Sequence, residues 1–283
     1  MIDGIPQIGL GTWLMTPEEA EASVTQALEL GYTHIDTAQG YGDEGGVGRA
    51  LTAAGEAGRS TFVTTKIEAR WKTAPEAAAS IDRSLELLQR DYIDLILIHS
   101  PQPWDHRGDE YRYGPENATV FEAMMAAKEA GKLRHIGVSN FNIDDLTTIY
   151  DHTGQWPEAN QILAHPGNMS HQLIAFCQDK SITVEAYSPV GHGEILRNPT
   201  LTDMAARYDS TVTAVCLSYL LGKGLVILPK TTNPEHMRDN LAISREPLPL
   251  SDGDITTLDQ LTDIDYGESQ EKYWIFKRPD YYA

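Results

Sequence analysis

Four polar residues in the first hundred positions have the types and spacing of a proton-transfer site. Asp36, Lys66 and His99 each stand at or near the end of an apolar run, and Tyr41 follows Asp36 closely. Asp36, Tyr41 and His99 each have an ordinary interpretation as well: a helix cap, a packed aromatic and a hydrogen-bonded core histidine. Lys66 is different, because a lysine in a buried strand points inward, where an unpaired ammonium is costly. It therefore requires a carboxylate, and Asp36 is the candidate.

A pair between Lys66 and Asp36 would place positive charge beside the hydroxyl of Tyr41. A phenol ordinarily titrates near pH ~10, and a nearby cation lowers its pKa. The pattern therefore predicts that Tyr41 is a general acid with a lowered pKa. His99 would hydrogen-bond a substrate carbonyl and fix its orientation.

The segments that must position these residues alternate short apolar runs with helical patterns along the whole chain. Repeated strand and helix units imply parallel strands joined by right-handed crossovers, and eight units favour a closed (β/α)8 TIM barrel with its site at the strand ends. The predicted strands are Ile8–Thr12, His34–Thr37, Phe62–Ile67, Ile93–His99, His135–Ser139, Ala159–Ile162, Thr183–Tyr187 and Leu225–Pro229. The predicted helices are Pro17–Leu30, Glu44–Ala57, Ala74–Leu88, Glu116–Ala130, Asp144–Tyr150, Gln172–Lys180, Thr202–Tyr208 and Thr213–Leu221.

The predicted organisation is one barrel domain over residues 1–283. Ile2–Pro6, with turn residues at its centre, is expected to form a small hairpin that plugs the barrel floor. The longest irregular segments, residues 100–115 and 267–283, are candidate lids over the site.

The composition excludes several classes of protein. With 41% hydrophobic residues, the chain can form a sizeable core. Asp plus Glu outnumber Lys plus Arg by 41 to 22, and the net charge of -19 argues against nucleic acid and membranes as partners. Cys177 and Cys216 are too few for a disulfide framework and lack a zinc-ligand spacing, so no metal site is predicted. Without a signal-peptide pattern or a long apolar run, the expected compartment is the cytoplasm.

Short motifs that fall in order at the ends of successive units resemble the aldo-keto reductase family, nearest in pattern to bacterial reductases of dicarbonyls and diketo-gluconate. The resemblance covers about the whole chain, and its motifs are specific jointly rather than singly. They are Gly9–Trp13, His34–Ala38 with Tyr41 and Gly42, Thr64–Lys66, Leu97–His99, Gly137–Phe141, Asn160–Gln161, Ala186–Pro189 and Leu228–Lys230.

This resemblance implies a monomeric enzyme that reduces a small-molecule aldehyde or ketone. Asp36, Tyr41, Lys66 and His99 match the family's catalytic tetrad, with Tyr41 as the proton donor and a nicotinamide cofactor as the hydride donor. NADPH is the expected cofactor, and NADH is the alternative. The candidate cofactor-binding residues are Thr12, Asp36, Ser139, Asn140, Gln161, Tyr187, Ser188, Pro189, Val190, Gly191, Lys230, Thr231, Thr232, His236, Asp239 and Asn240. The candidate substrate-binding residues are Trp13, Tyr41, His99, Trp71 and Trp104.

Within these sets, the resemblance assigns Ser139, Asn140 and Gln161 to the carboxamide of the nicotinamide and Tyr187 to the face of its ring. A planar aromatic and amide groups suit a flat ring that carries an amide.

Four positions depart from the family pattern, and one of them, Thr33 in place of a common arginine, is expected at the surface. Thr231 stands where the family usually has serine, and His236 stands where it has an arginine that contacts the 2'-phosphate and adenine, which weakens the preference for NADPH. Ser100 replaces a tryptophan that often follows the histidine of the fourth strand. This replacement predicts a roomier or more polar pocket.

Two other functions are compatible with parts of the sequence. Gly40–Gly45 fits a GxGxxG pattern and Tyr273 with Lys277 fits a YxxxK pair, which together are typical of a short-chain Rossmann dehydrogenase. The glycines follow the second strand instead of the first, so this alternative is remote. A barrel that binds nucleotide as a non-catalytic partner is the other alternative, because fold does not fix function.

Overall fold

In the computed structural model, which describes residues 2–106, 109–262 and 264–273, eight parallel strands lie side by side in chain order. Each strand pairs in parallel with the next one along the chain. The strands are β1 (Leu10–Gly11), β2 (His34–Asp36), β3 (Phe62–Ile67), β4 (Ile93–Ile98), β5 (Leu133–Ser139), β6 (Ala159–Leu163), β7 (Thr183–Tyr187) and β8 (Val226–Leu228).

Backbone contacts between the first and last strands bring the two edges of the sheet together. Ile8 pairs in parallel with Ile227. The amide of Gly9 donates to the carbonyl of Ile227 at 2.9 Å, and the amide of Gly11 donates to the carbonyl of Pro229 at 3.1 Å. The predicted (β/α)8 barrel is therefore confirmed, and the ends of all eight strands meet at one rim.

Helices surround the barrel and follow most of the strands. Their apolar faces pack on the outer side of the sheet and form one large buried cluster. The helices are α1 (Pro17–Leu30), α2 (Glu44–Ala53), α3 (Glu56–Ser60), α4 (Ala74–Leu88), α5 (Gly114–Glu129), α6 (Ile143–Thr153), α7 (His171–Asp179), α8 (Pro199–Arg207), α9 (Val212–Gly222), α10 (Pro234–Arg245), α11 (Asp252–Asp259) and α12 (Gly267–Lys272).

Local capping signals explain why two helices begin at their predicted residues. The Thr16 side chain accepts a hydrogen bond from the amide of Glu19, and the Glu19 side chain accepts one from the amide of Thr16. Thr73 and Glu76 form the same capping box before α4. Each helix also has a proline in its first turn. These signals lie within a few residues of one another, so the start of each helix can be predicted from the sequence alone.

Other boundaries differ from the prediction. The helix predicted over Glu44–Ala57 is divided into α2 and α3 at Gly55, whose positive φ of 60° interrupts a continuous helix. The helices α10, α11 and α12 were not predicted, although Asn233 and Pro234 supply a cap and a first-turn proline for α10.

The first residues close the lower end of the barrel without forming the predicted hairpin. Residues 2–7 contain no strand, and the chain turns at Gly4, which has a φ of 76°. Ile2 is buried against Leu95, Leu97 and Ala159. The segment therefore plugs the floor through apolar contacts instead of strand pairing.

The glycine-rich segment before and within α2 allows close packing of helices. A Cβ on Gly46 would lie 2.0 Å from the carbonyl oxygen of Pro17, and one on Gly48 would lie 2.2 Å from that of Leu87. Gly46 and Gly48 bring α2 against α1 and α4. The pattern at Gly40–Gly45 follows the second strand of a barrel instead of the first strand of an open sheet, which removes the structural basis for a Rossmann fingerprint. Within the described ranges, no helix is both long and apolar enough to cross a membrane.

Replacing Gly46 by alanine tests this packing. Because its nearest neighbour is rigid backbone, Gly46→Ala is expected to lower the free energy of unfolding by about 2 kcal/mol. Gly45→Ala is the matched control in the same helix, since its nearest atoms lie 3.7 Å away or farther; it should be neutral or stabilise by up to about 1 kcal/mol. Urea denaturation measures both, and equal effects would contradict the packing role.

Candidate active site

Neighbouring strands bring the predicted catalytic residues to one side of the barrel rim. Asp36 ends β2, Lys66 lies near the end of β3, and His99 follows β4 directly. Tyr41 ends a short 3₁₀ helix, Gln39–Tyr41, after β2. The side chain of Gln39 anchors this turn, because its Nε2 donates to the Ser80 carbonyl at 3.0 Å and its Oε1 accepts from the Glu68 amide at 3.1 Å.

These residues open onto a cavity of about 810 Å³. Asp36, Tyr41 and His99 form part of its wall, together with residues from the loops after β1, β5 and β7. The cavity has the size of a cofactor or small-molecule site and lies where barrel enzymes place their chemistry.

Lys66 and Asp36 form the ion pair that the sequence requires. The Lys66 Nζ lies 2.7 Å and 2.9 Å from the two carboxylate oxygens and also donates to the carbonyl of Thr37 at 2.9 Å. Only 1% of the Lys66 side chain is exposed. Burial works to lower the pKa of Lys66, but the Asp36 carboxylate and the neighbouring Tyr41 outweigh it and raise that pKa. The ammonium therefore stays charged.

Tyr41 is close to this cation, but its pKa moves in the direction opposite to the prediction. The Tyr41 hydroxyl lies 3.5 Å from Lys66 Nζ. Burial raises the pKa of Tyr41 to about 12, and the attraction of Lys66 only partly opposes this, because Asp36 also works against ionisation. The predicted lowering was wrong because it considered the cation without the loss of water. Tyr41 consequently holds its proton at neutral pH.

His99 lies beside Tyr41 at the cavity wall. The two rings meet edge to face with centroids 5.6 Å apart, and Trp104 packs edge to face on the other side of His99 at 4.8 Å. Ser100 is buried with 1% of its surface exposed and does not line the cavity. The roomier or more polar pocket expected from Ser100 stays a prediction, and Trp104 from the following loop forms part of the wall beside His99.

Polar residues after β5 form a connected network on the opposite wall. Asn140 Nδ2 donates to the His99 carbonyl at 3.0 Å and to Ser139 Oγ at 3.1 Å. The Tyr187 hydroxyl donates to Asn140 Oδ1 at 2.8 Å. Asn140 adopts a left-handed conformation with φ of 64°, which asparagine tolerates better than most residues. The network therefore links Tyr187, Asn140 and Ser139 to the backbone of His99, directly after β4.

Gln161 connects this wall to the ion pair and also contacts Glu185, a residue that was not predicted to belong to the site. Its Nε2 donates to Asp36 Oδ2 at 2.8 Å and to Glu185 Oε2 at 2.9 Å. Burial and the repulsion of Asp36 raise the pKa of Glu185. The signal was present in the sequence, since Glu185 occupies an inward position of β7, as Lys66 does in β3.

The predicted cofactor-binding residues divide into two groups. The first lines the cavity and comprises Asp36, Ser139, Asn140, Gln161, Tyr187, Ser188, Pro189, Val190 and Lys230. The second lies outside the cavity wall and comprises Thr12, Gly191, Thr231, Thr232, His236, Asp239 and Asn240. Five of this second group lie on or directly before α10, next to Lys230, and His236 and Asp239 are exposed there.

Aromatic residues from distant segments form the mouth of the cavity. The Trp13 ring lies 5.1 Å from the His192 ring and 5.2 Å from the Tyr273 ring. Both predicted lid segments contribute, through Trp104 and Tyr273, although residues 107–108 and 274–283, with Lys277, lie outside the described residues. Trp71 does not line the cavity, because its ring packs beneath the guanidinium of Arg70 at 4.4 Å.

The chain belongs to the aldo/keto reductase family, whose sequence pattern matches residues 4–263. It is 36% identical over 260 residues to the methylglyoxal reductase DkgA of Salmonella typhimurium, a match that covers 90% of each chain. It is 34% identical over 259 residues to an aldo-keto reductase of Mycolicibacterium smegmatis, covering 92% of this chain and 90% of the relative.

Solved structures agree with this assignment. An aldo/keto reductase from Brucella melitensis has a TM-score of 0.83 at 34% identity and covers 91% of this chain and 95% of its own. An aldo-keto reductase of Bombyx mori in complex with NADP has a TM-score of 0.81 at 31% identity and covers 99% of this chain and 95% of its own. The predicted family, barrel fold and class of enzyme are therefore confirmed.

Asp36→Asn tests the dependence of the interior on the buried pair. Removal of one partner leaves the Lys66 ammonium uncompensated, and the free energy of unfolding is expected to fall by about 3 kcal/mol. Asp82→Asn is the control, because Asp82 pairs with Lys132 at the surface and should change stability by less than about 0.5 kcal/mol. Chemical denaturation measures both. A fall no larger than that of the control would show that the pair does not stabilise the barrel.

Proposed function

We propose that this protein reduces the carbonyl group of a small aldehyde or ketone to an alcohol with NADPH. The observation that carries the proposal is the Tyr41 hydroxyl, which lies 3.5 Å from the buried ammonium of Lys66 at a cavity wall shared with His99. A hydroxyl that holds its proton beside a fixed positive charge is suited to donate that proton to a developing alkoxide. Family membership supports the same reaction.

In this mechanism His99 and Tyr41 both face the carbonyl oxygen of the substrate. His99 orients that oxygen, and Tyr41 transfers its proton to it as the carbon–oxygen double bond becomes a single bond. The cofactor supplies the hydride that bonds to the carbonyl carbon. Tyr41 is left as a phenolate, which the Lys66 ammonium stabilises until the phenol regains a proton from water. Asp36 keeps Lys66 in place throughout.

The residues on the opposite wall fit the nicotinamide end of a cofactor. Tyr187 offers a planar ring, and Asn140 and Gln161 offer amide groups, all in the same cavity as Tyr41. An amide on the ligand can exchange hydrogen bonds with these groups while its ring lies on the tyrosine. We assign Ser139, Asn140 and Gln161 to the carboxamide on this basis.

NADPH is favoured over NADH by the surroundings of α10. Lys230 is exposed at the edge of the cavity and precedes the N-terminus of α10, which suits a phosphate group. The neighbour from Bombyx mori was solved with NADP. We therefore place the adenosine end along Thr231, Thr232, His236, Asp239 and Asn240.

The substrate is inferred to be a small carbonyl compound bound between aromatic walls. Trp13, Trp104 and His99 surround the space next to Tyr41. The relatives named methylglyoxal reductases are consistent with a compact substrate. A non-catalytic nucleotide-binding role gains no support, because all four residues of the proposed tetrad are present and in reach of one another. A monomer in the cytoplasm stays a prediction from the sequence.

Tyr41→Phe tests the proton donor. Because the variant keeps the ring and loses only the hydroxyl, the turnover number for aldehyde reduction should fall by at least about 100-fold, while the Kd for NADPH remains within twofold. Tyr92→Phe is the control, since Tyr92 packs beneath Arg134 away from the cavity. NADPH oxidation followed by absorbance measures turnover. Wild-type turnover in Tyr41→Phe would refute the assignment.

His236→Arg tests the adenosine end. An added guanidinium pairs with the 2'-phosphate, which only NADPH has, so the variant should bind NADPH about tenfold more tightly and leave the Kd for NADH unchanged. Titration of protein fluorescence with each cofactor gives both constants. Equal tightening of both cofactors would place His236 away from the 2'-phosphate.

A further inference from the structure

Glu185 is a buried carboxyl group that the mechanism above does not use. It lies in β7 with none of its surface exposed. Among the described residues, the Gln161 amide is the one hydrogen-bond donor to its side chain, and Oε1 has no hydrogen-bond partner. The nearest cationic candidate, His34, is 3.9 Å away, and burial lowers the pKa of His34 to about 3, so His34 is neutral.

Such a carboxyl group is a poor structural element. Buried carboxyl groups that stabilise a fold are normally saturated by donors, because the loss of water is costly. Glu185 has one donor for two oxygens. We therefore look for a role of Glu185 in its effect on Gln161, the residue that donates a hydrogen bond to it.

Glu185 and Asp36 together determine which way the Gln161 amide faces. The amide nitrogen carries two hydrogens, and the two carboxyl groups lie 2.9 Å and 2.8 Å from it. Rotation of the amide by half a turn would bring its oxygen against the Asp36 carboxylate, which repels it. It would also replace the N–H that Gln161 now donates to Glu185 Oε2 with an oxygen that faces an oxygen. With the nitrogen held inside the barrel, the oxygen is the atom left for the cavity that Gln161 lines.

We propose that Glu185 is a positioning residue that locks the Gln161 amide with its oxygen toward the cavity, where this oxygen accepts a hydrogen bond from the carboxamide NH₂ of the nicotinamide. The inference rests on the proposed function, because it takes the cavity as the nicotinamide site. Glu185 touches neither substrate nor cofactor. It acts only through Gln161.

The test compares NADPH with its 3-acetylpyridine analogue, in which a methyl ketone replaces the carboxamide and the NH₂ donor is absent. Glu185→Gln keeps the size of the side chain, but its new NH₂ group can donate to the Gln161 oxygen, so the contact at position 185 no longer favours the present orientation of the Gln161 amide. The Kd for NADPH is expected to rise about fivefold, by the loss of one oriented hydrogen bond, and the Kd for the analogue should change by less than twofold. Quenching of protein fluorescence measures both constants without turnover.

Glu158→Gln is the matched control, because Glu158 is a carboxylate on the outside of the barrel that pairs with Lys128 and His135. It should alter neither constant. An equal rise for both ligands in Glu185→Gln would overturn the proposal, since it would indicate a general packing defect. An unchanged Kd for NADPH would overturn it as well.

Two further measurements keep the outcome decisive. If thermal unfolding shows that Glu185→Gln does not fold, Glu185→Asp replaces it, because the shorter side chain withdraws from Gln161 and predicts the same selective loss. Failure of the proposed function would be seen in the wild-type protein itself, which would then neither bind NADPH nor oxidise it in the presence of aldehydes. A rise in the Kd for NADPH alone in the Glu185 variant can thus be distinguished from the absence of a nicotinamide site in the wild-type protein.

Discussion

The site depends on one buried ammonium and the carboxylate that compensates it. A charged lysine inside a barrel is stable only when a counter-ion and hydrogen-bond acceptors replace the water that it has lost. Asp36 and the carbonyl of Thr37 supply these groups to Lys66, and both come from the end of β2. The same requirement that stabilises the interior therefore places a fixed positive charge beside Tyr41. The Lys66–Asp36 ion pair therefore serves both the stability of the barrel and the chemistry proposed at Tyr41.

The balance between burial and charge at Tyr41 decides its protonation. A cation nearby favours the phenolate, whereas the removal of water favours the neutral phenol, and here burial is the larger effect. The result is an acid that keeps its proton until a stronger base forms next to it. An alkoxide developing from a carbonyl is such a base, which fits Tyr41 to the reductive direction.

The sequence predicted elements best where their signals are local. The bounds of α1 and α4 agree with the prediction, because a capping threonine, a proline and a glutamate mark each start within a few residues. The division at Gly55 had a local signal, a glycine inside the predicted helix, that the prediction did not include. The contact of Trp104 with His99 was not predictable, because it depends on the conformation of the irregular loop after β4. Glu185 also had a local signal, because a carboxyl group at an inward position of a predicted strand requires a partner inside the barrel.

By itself the sequence determined the order of the eight strands, the alternation of strands with helices, the family, and the need of Lys66 for a carboxylate. These follow from periodicity, from motifs at strand ends and from the cost of an unpaired buried charge. Only the tertiary structure decided the raised pKa of Tyr41, the aromatic wall at His99 and the contact between Gln161 and Glu185. The physical reason is that desolvation and amide orientation depend on every group around a side chain, and those groups come together only when the barrel closes.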